Sequence, residues 1–215
     1  MFCDMNDESL AEFDSIGTET AVLRGAKLFQ ENDPSGGVFL ICAGQVKLSC
    51  TSREGHNLIM RIAMPGEVLG LGAVIAGSRY EVTAEAIEPT QIKIIRREKF
   101  LSFLKKHGAA SLHAAKVLSE EYKAAFFDAR RLALLGSAAA RLASLLLDWG
   151  QAASAGQSEM RFTMALTHEE LANMVGSSRE TVTRMLSRFK KDKLIQVRGN
   201  SVLILAPEKL RALSD

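Results

Sequence analysis

At 215 residues, with 27 Lys/Arg against 25 Asp/Glu and 47% hydrophobic content, the chain is long for one core and balanced as globular proteins are, so two domains are expected. No apolar run reaches a membrane span and the acidic N-terminal stretch 1–10 is unlike an export signal, which points to a cytoplasmic protein; Cys3, Cys42 and Cys50 are too few and scattered for a disulfide framework. The net charge of +2 hides a gradient: residues 1–108 carry 12 Lys/Arg against 14 Asp/Glu, residues 109–160 five of each, and residues 161–215 ten against six.

From Ala21 to Ile95 short apolar runs alternate with turn residues. Val38–Ile41, Val46–Cys50, Leu58–Ile62 and Ile92–Ile95 are expected strands. Pro34–Gly37, Ala43–Gly44, Arg53–Gly55 and Met64–Gly66 are expected turns. Many short strands with regular turns predict a β-roll of the jelly-roll kind. Cys42 and Cys50 fit as small residues inside strands, and Cys3 as a thiol in a terminal segment. Such rolls also house metalloenzymes, but of His56, His107, His113 and His168 only His56 lies in the expected roll, and no nucleophile-elbow pattern occurs. Neither a metal site nor catalysis is expected.

A short helix, Arg97–Lys106, precedes a break at Gly108. From there to Leu135 no glycine or proline intervenes, which predicts a helix of about 26 residues, roughly 39 Å long. Ala115, Leu118, Tyr122, Ala125, Ala129 and Leu132 recur at three- and four-residue steps, the spacing of a two-helix seam, and small residues along it favour pairing with a second copy of the chain. Gly136–Ser137 breaks the helix, with Ser137 as N-cap of Ala138–Trp149, and Gln151–Glu159 is expected to be a loop.

Residues 167–205 carry the densest signal. Thr167 and Glu170 have capping-box spacing, Leu171, Met174 and Val175 form an apolar face, and Gly176 permits a reversal. Ser177 and Ser178 are both candidate N-caps of the next helix, and Ser177 with Glu180 makes a second box. In that helix Val182, Met185, Leu186 and Phe189 share one sector. Arg179, Glu180, Thr183, Arg184, Ser187 and Arg188 fill the other. Leu194–Val197, a turn at Arg198–Asn200 and Val202–Leu205 predict a β-hairpin, a wing.

The run GSSRETVTRML followed by a basic stretch and Leu194–Ile195 resembles the recognition segment of the CRP/FNR family of bacterial transcription regulators. Lys193 stands where many members have glycine. The stretch from Arg24 to Leu48 resembles the family's β-roll, with Asn32 at a frequent glycine position. The fold class implied is α+β: an N-terminal β-roll (double-stranded β-helix), residues 1–107; a dimerisation helix, 108–136; and a C-terminal winged helix-turn-helix, 137–215.

The resemblance implies a homodimer on duplex DNA, with RNA polymerase as a further partner. Arg179, Glu180 and Arg184 match the base-reading positions of the cyclic-AMP-responsive branch, so the half-site implied resembles TGTGA, with the arginines on guanines and the glutamate on cytosine. Thr183 replaces a glycine there. Thr167, Ser178, Thr181 and Arg188 are candidates for phosphate contacts.

The segment from Pro65 to Ala86 resembles the family's phosphate-binding cassette, implying an effector pocket at Gly66, Glu67, Gly70, Leu71, Tyr80 and Glu81, with Phe126 and Phe127 where adenine is met. Gly66 and Glu67 match the cassette. Its Arg-Ser pair, however, becomes Tyr80–Glu81, which removes the cation for the phosphate and adds a carboxylate, although Arg79 is one residue away. Cyclic AMP is therefore not expected to bind in the usual mode. Three cysteines do not supply the four ligands of the family's iron–sulfur cluster, so the effector stays unassigned, with no ligand, haem or a redox signal all open. The competing reading is a β-roll sensing or interaction module with weak or vestigial DNA binding.

Overall fold

The computed structural model describes residues 7–55, 57–154, 159–164 and 166–214; Cys3 and His56 lie outside the described residues. A first helix, α1 (Asp7–Ser15), leads into short strands: β1 (Thr18–Val22), β2 (Lys27–Phe29), β3 (Gly37–Ala43), β4 (Val46–Thr51), β5 (Asn57–Ala63) and β6 (Val68–Leu69). The short helix α2 (Leu71–Ala76) interrupts them before β7 (Thr83–Ala86) and β8 (Thr90–Arg96). The expected strands are present and lie within β3, β4, β5 and β8.

These strands form two antiparallel sheets, ordered β1-β8-β3-β6 and β2-β7-β4-β5. Period-two alternation sorts the residues of β3 and β8. Phe39, Ile41 and Ile92 turn inward with Phe29, Val46, Leu48, Leu69 and Ala84 of the other strands. Val38 and Ile95 turn the opposite way and join Phe13, Val74, Phe100, Phe103, Ala110 and Ala114. The first sheet is thereby covered by α1, α2, α3 (Arg97–Lys106) and the start of α4 (Gly108–Leu134). Lys93 lies on this covered face at 6% exposure, paired with Asp14 at 2.6 Å and Glu19 at 3.2 Å. Burial alone would lower its pKa, but the two carboxylates outweigh burial and the net shift is upward.

The chain divides into two compact units, Met1–Ala125 and Phe126–Asp215. The division falls within α4 rather than at the Gly136 break. The cause is local: Arg131, near the end of α4, pairs with Asp148 at 3.0 Å, and Leu132 packs toward the Gly176 turn.

The second unit continues with α5 (Ala138–Ser154), β9 (Arg161–Thr163), α6 (His168–Val175), α7 (Arg179–Lys191), β10 (Ile195–Arg198), β11 (Ser201–Ile204) and α8 (Pro207–Arg211). Ser137 caps α5 by accepting from Ala140 N at 3.0 Å. This helix outruns its expected end at Trp149 and takes in the first residues of the expected loop. Gly150 is a contact point and not a stop: a Cβ there would come 2.6 Å from Ile204 Cδ1. The wing is a three-stranded sheet, β10-β11-β9, with a two-residue loop at Gly199–Asn200.

Among the described residues two that are not glycine adopt the left-handed region, Asn32 at φ 69° and Lys193 at φ 53°. Asparagine tolerates this backbone, whereas lysine gains nothing from it. Lys193→Gly is expected to stabilise the chain by about 1 kcal/mol, read as a raised denaturation midpoint at unchanged slope.

Candidate DNA-reading face and effector cavity

The helix-turn-helix is set by caps. Thr167 accepts from Glu170 N at 3.2 Å while the Glu170 carboxylate accepts from Thr167 N at 2.9 Å, a complete capping box. Gly176 ends α6 at φ 59°. The N-cap of α7 is Ser178, whose Oγ accepts from Thr181 N at 3.3 Å and donates to Thr181 Oγ1 at 3.0 Å. The expected Ser177–Glu180 box is absent. With Ser178 as cap, Glu180 falls at the second helical position and its carboxylate points outward.

Val182, Met185, Leu186 and Phe189 are buried, and Arg179, Glu180, Thr183, Arg184, Ser187 and Arg188 are exposed. The side chains of Arg179, Glu180 and Arg184 engage no partner among the described residues. Arg188 is in range of Asp192 at 3.5 Å. Thr183 donates to Arg179 O at 2.8 Å and lies 2.8 Å from His168 Nδ1, so its hydroxyl is engaged while its methyl is not. His168, which sequence reasoning missed, therefore adjoins the reading face. Its offset from Thr183 spans a turn between helices, where no periodicity links the two.

In the first unit, β5, the turn at Met64–Glu67 and α4 enclose a cavity of about 290 Å³ lined by Arg61, Gly66, Glu67, Val68, His113, Val117, Glu120, Glu121 and Ala124. Several of its polar groups are already engaged. Gly66 N donates to Ile41 O at 2.8 Å and Glu67 N to Met64 O at 3.2 Å, so neither amide is free for a phosphate. The Glu67 carboxylate accepts from Met64 N at 2.9 Å and pairs with Arg61. Arg61 also pairs with Glu121 at 3.2 Å. Burial lifts the Glu121 carboxyl above its usual value; Arg61 pulls it down, while Glu67 and Glu81 add to the rise.

Of the residues expected around an effector, Gly66 and Glu67 line this cavity. Leu71 and Tyr80 are core residues at 1% and 4% exposure. Tyr80 stacks on Phe29 with ring centroids 4.0 Å apart and donates to Gly37 O at 2.6 Å. Gly70 sits over the Tyr80 ring, where a Cβ would come 2.7 Å from it. Glu81 is exposed and accepts from Ser78 Oγ at 3.2 Å, and the Arg79 guanidinium is held by Asn32 O at 2.6 Å. Phe126 and Phe127 belong to the second unit, exposed and in edge contact at 6.3 Å. Sequence reasoning missed Arg61 and Glu121. The available signal was a lone arginine inside an otherwise apolar strand, which calls for a carboxylate partner. Cys42 is exposed, and burial pushes the Cys50 thiol up.

The cyclic nucleotide-binding domain model matches residues 19–107 and the Crp-like helix-turn-helix domain model residues 140–213. The chain is 29% identical over 194 residues to the transcriptional activator protein anr of Pseudomonas aeruginosa, covering 89% of this chain and 78% of that one. It is 28% identical over 191 residues to a CRP-like cAMP-activated global transcriptional regulator of Mycobacterium tuberculosis, covering 87% and 84%. FixK2 from Bradyrhizobium japonicum shares the fold, with a TM-score of 0.82 at 21% identity over 93% of this chain and 98% of that one. The chain belongs to the CRP/FNR family.

It is a DNA-binding transcription regulator of the CRP/FNR type, and these relatives are transcription regulators. No described helix is long and apolar enough to cross a membrane. Its two candidate sites differ in electrostatic state, with open cations on α7 and closed ion pairs in the roll.

The upward shift of Glu121 from 4.5 means that the folded state holds the proton more tightly than the unfolded chain does. This contribution is complete below about pH 4.5 and is lost as pH rises through the folded pKa. Glu121→Gln is therefore expected to melt like the native chain at pH 4 and above it at neutral pH, with the gap opening through the carboxylate range in thermal melts.

Proposed function

We propose that this CRP/FNR regulator acts as a homodimer that reads a pseudo-palindromic, TGTGA-like operator and is not controlled by cyclic AMP in the usual mode. The observation that carries the reading is the exposed, unengaged Arg179, Glu180 and Arg184 at the N-terminal end of a helix whose opposite side is buried. Arginine forks fit guanine O6 and N7, and a carboxylate accepts from cytosine N4. Thr167, Ser178, Thr181 and Arg188 flank this face and serve the phosphates. Their positions set register, while the base-facing groups set sequence.

Dimerisation is supported by α4. Tyr122, Phe126 and Phe127 are 73%, 53% and 62% exposed, apolar surface that a second copy of the helix would cover. Two-fold symmetry would place the reading helices about 34 Å apart, on successive major grooves. Leu118, Tyr122, Ala125, Ala129 and Leu132 form the proposed seam, in which Leu118 also packs on the roll core and Leu132 toward the Gly176 turn.

Independence from cyclic AMP is supported by the cavity. Its arginine is shared by two glutamates, the Gly66 and Glu67 amides are engaged, and Tyr80 is buried in the core. An anionic phosphate would have to displace a carboxylate to gain a cation. The protein works in the cytoplasm, without catalysis, through its operator and RNA polymerase.

Selection from a random duplex library tests the reading, with an enriched inverted repeat expected and unselected duplex as the overturning result. On the selected site, Arg184→Ala should cost about 1–3 kcal/mol and relax preference at one base pair per half-site; equal loss on every sequence would contradict base reading. Arg188→Ala should weaken all duplexes alike and reduce the salt slope by about one. Calorimetric titration with cyclic AMP should show no saturable heat in the micromolar range, and tight binding would refute that part.

A further inference from the structure

Arg141, on the first turns of α5, has a guanidinium that serves three carbonyls: Nη1 donates to Leu135 O at 2.9 Å, Nε to Val175 O at 2.7 Å and Nη2 to Gly176 O at 3.3 Å. Leu135 directly follows the last residue of α4, and Val175 and Gly176 close α6 and form the turn into α7. Carbonyls at helix C-termini lack intrahelical donors and carry partial negative charge, so one cation with a rigid donor fork satisfies both helix ends together. A second tie spans the same break. Arg131 of α4 is held by Asp128 at 2.5 Å and by Asp148 of α5 at 3.0 Å, with its side chain 10% exposed. The non-helical residues between α4 and α5 are thus braced from both sides and do not form a free hinge.

We propose that Arg141 is the positioning residue of the DNA reader, holding the turn that launches α7 to the carbonyl end of α4 so that the recognition helix follows that end. It touches no base. Its effect passes through Gly176 to Ser178 and so to the placement of Arg179 and Arg184, and the proposal rests on α7 being the base-reading helix. A lysine would keep the charge but reach only part of the carbonyl set, because its donors radiate from one atom.

The test uses the full chain with Arg141→Gln and Arg141→Lys, amide hydrogen exchange, and affinities for the operator selected by the native chain and for an unrelated duplex of equal length. Exchange at Gly176–Ser178 and at Leu135–Ser137 should accelerate about tenfold or more, with the amides of the roll unchanged. Operator affinity should fall about tenfold or more, while the unrelated duplex stays within about twofold. Native-like discrimination by Arg141→Lys would reduce the role to charge alone and overturn the proposal. Parallel loss on both duplexes would make Arg141 merely structural and would also overturn it. If the native chain itself fails to discriminate, the base-reading assignment of α7 falls. The exchange measurement still decides in that case, since unchanged rates at the turn overturn the role of Arg141 without any DNA.

Discussion

The direction in which Arg179, Glu180 and Arg184 point is decided by four side chains on the other side of α7. Val182, Met185, Leu186 and Phe189 are buried, and each contributes on the order of 1.5–3 kcal/mol by leaving water. Turning the helix by one residue, about 100°, would expose part of this set and push a guanidinium toward the interior, a change opposed by both apolar transfer and charge desolvation. The outward charges are therefore held by the buried back of the helix. Where α7 starts is fixed separately, by the left-handed Gly176 and the Ser178 cap.

The two halves of the chain treat arginine in contrasting ways. In the roll, Arg61 is satisfied internally by Glu67 and Glu121, and the cavity that contains it presents more carboxylates than cations. On α7, Arg179 and Arg184 are left open on the exposed side of the helix, within the portion of the chain richest in positive charge. An anion gains from an open guanidinium and little from one already neutralised. Electrostatics thus points nucleic acid toward the second unit and away from the roll, whatever ligand chemistry the roll serves.

Much of this was legible in the sequence where one element supplies its own pattern. The apolar runs of β3, β4, β5 and β8, the capping box of α6 and the two-faced α7 are all local signals, and they gave the α+β architecture and its winged reader. Elements whose character depends on a distant partner were not legible. β1 carries the polar sequence Thr-Glu-Thr-Ala-Val and is a strand because it pairs along the edge with β8, with almost no buried face of its own. α5 runs past its expected end at Trp149, and Gly150 within it lies close against Ile204. Alignment to a ligand cassette placed Tyr80 at a binding position, but nothing local shows that its ring would find Phe29 and its hydroxyl Gly37.

The same limit explains the mixed character of α4. Three- and four-residue steps identify an apolar stripe without naming what covers it, because the chain's own core and a second copy impose the same spacing. The structure separates the two along the helix. Leu118 packs on the roll core and Leu132 toward the Gly176 turn, whereas Tyr122, Phe126 and Phe127 between them remain exposed. Aromatic rings left in water over adjacent turns are costly for a monomer and useful for an assembly. A partner that covers them by two-fold symmetry lays its own α4 against this one. The braces at Arg131 and Arg141 tie the end of α4 to α5 and to the turn before α7.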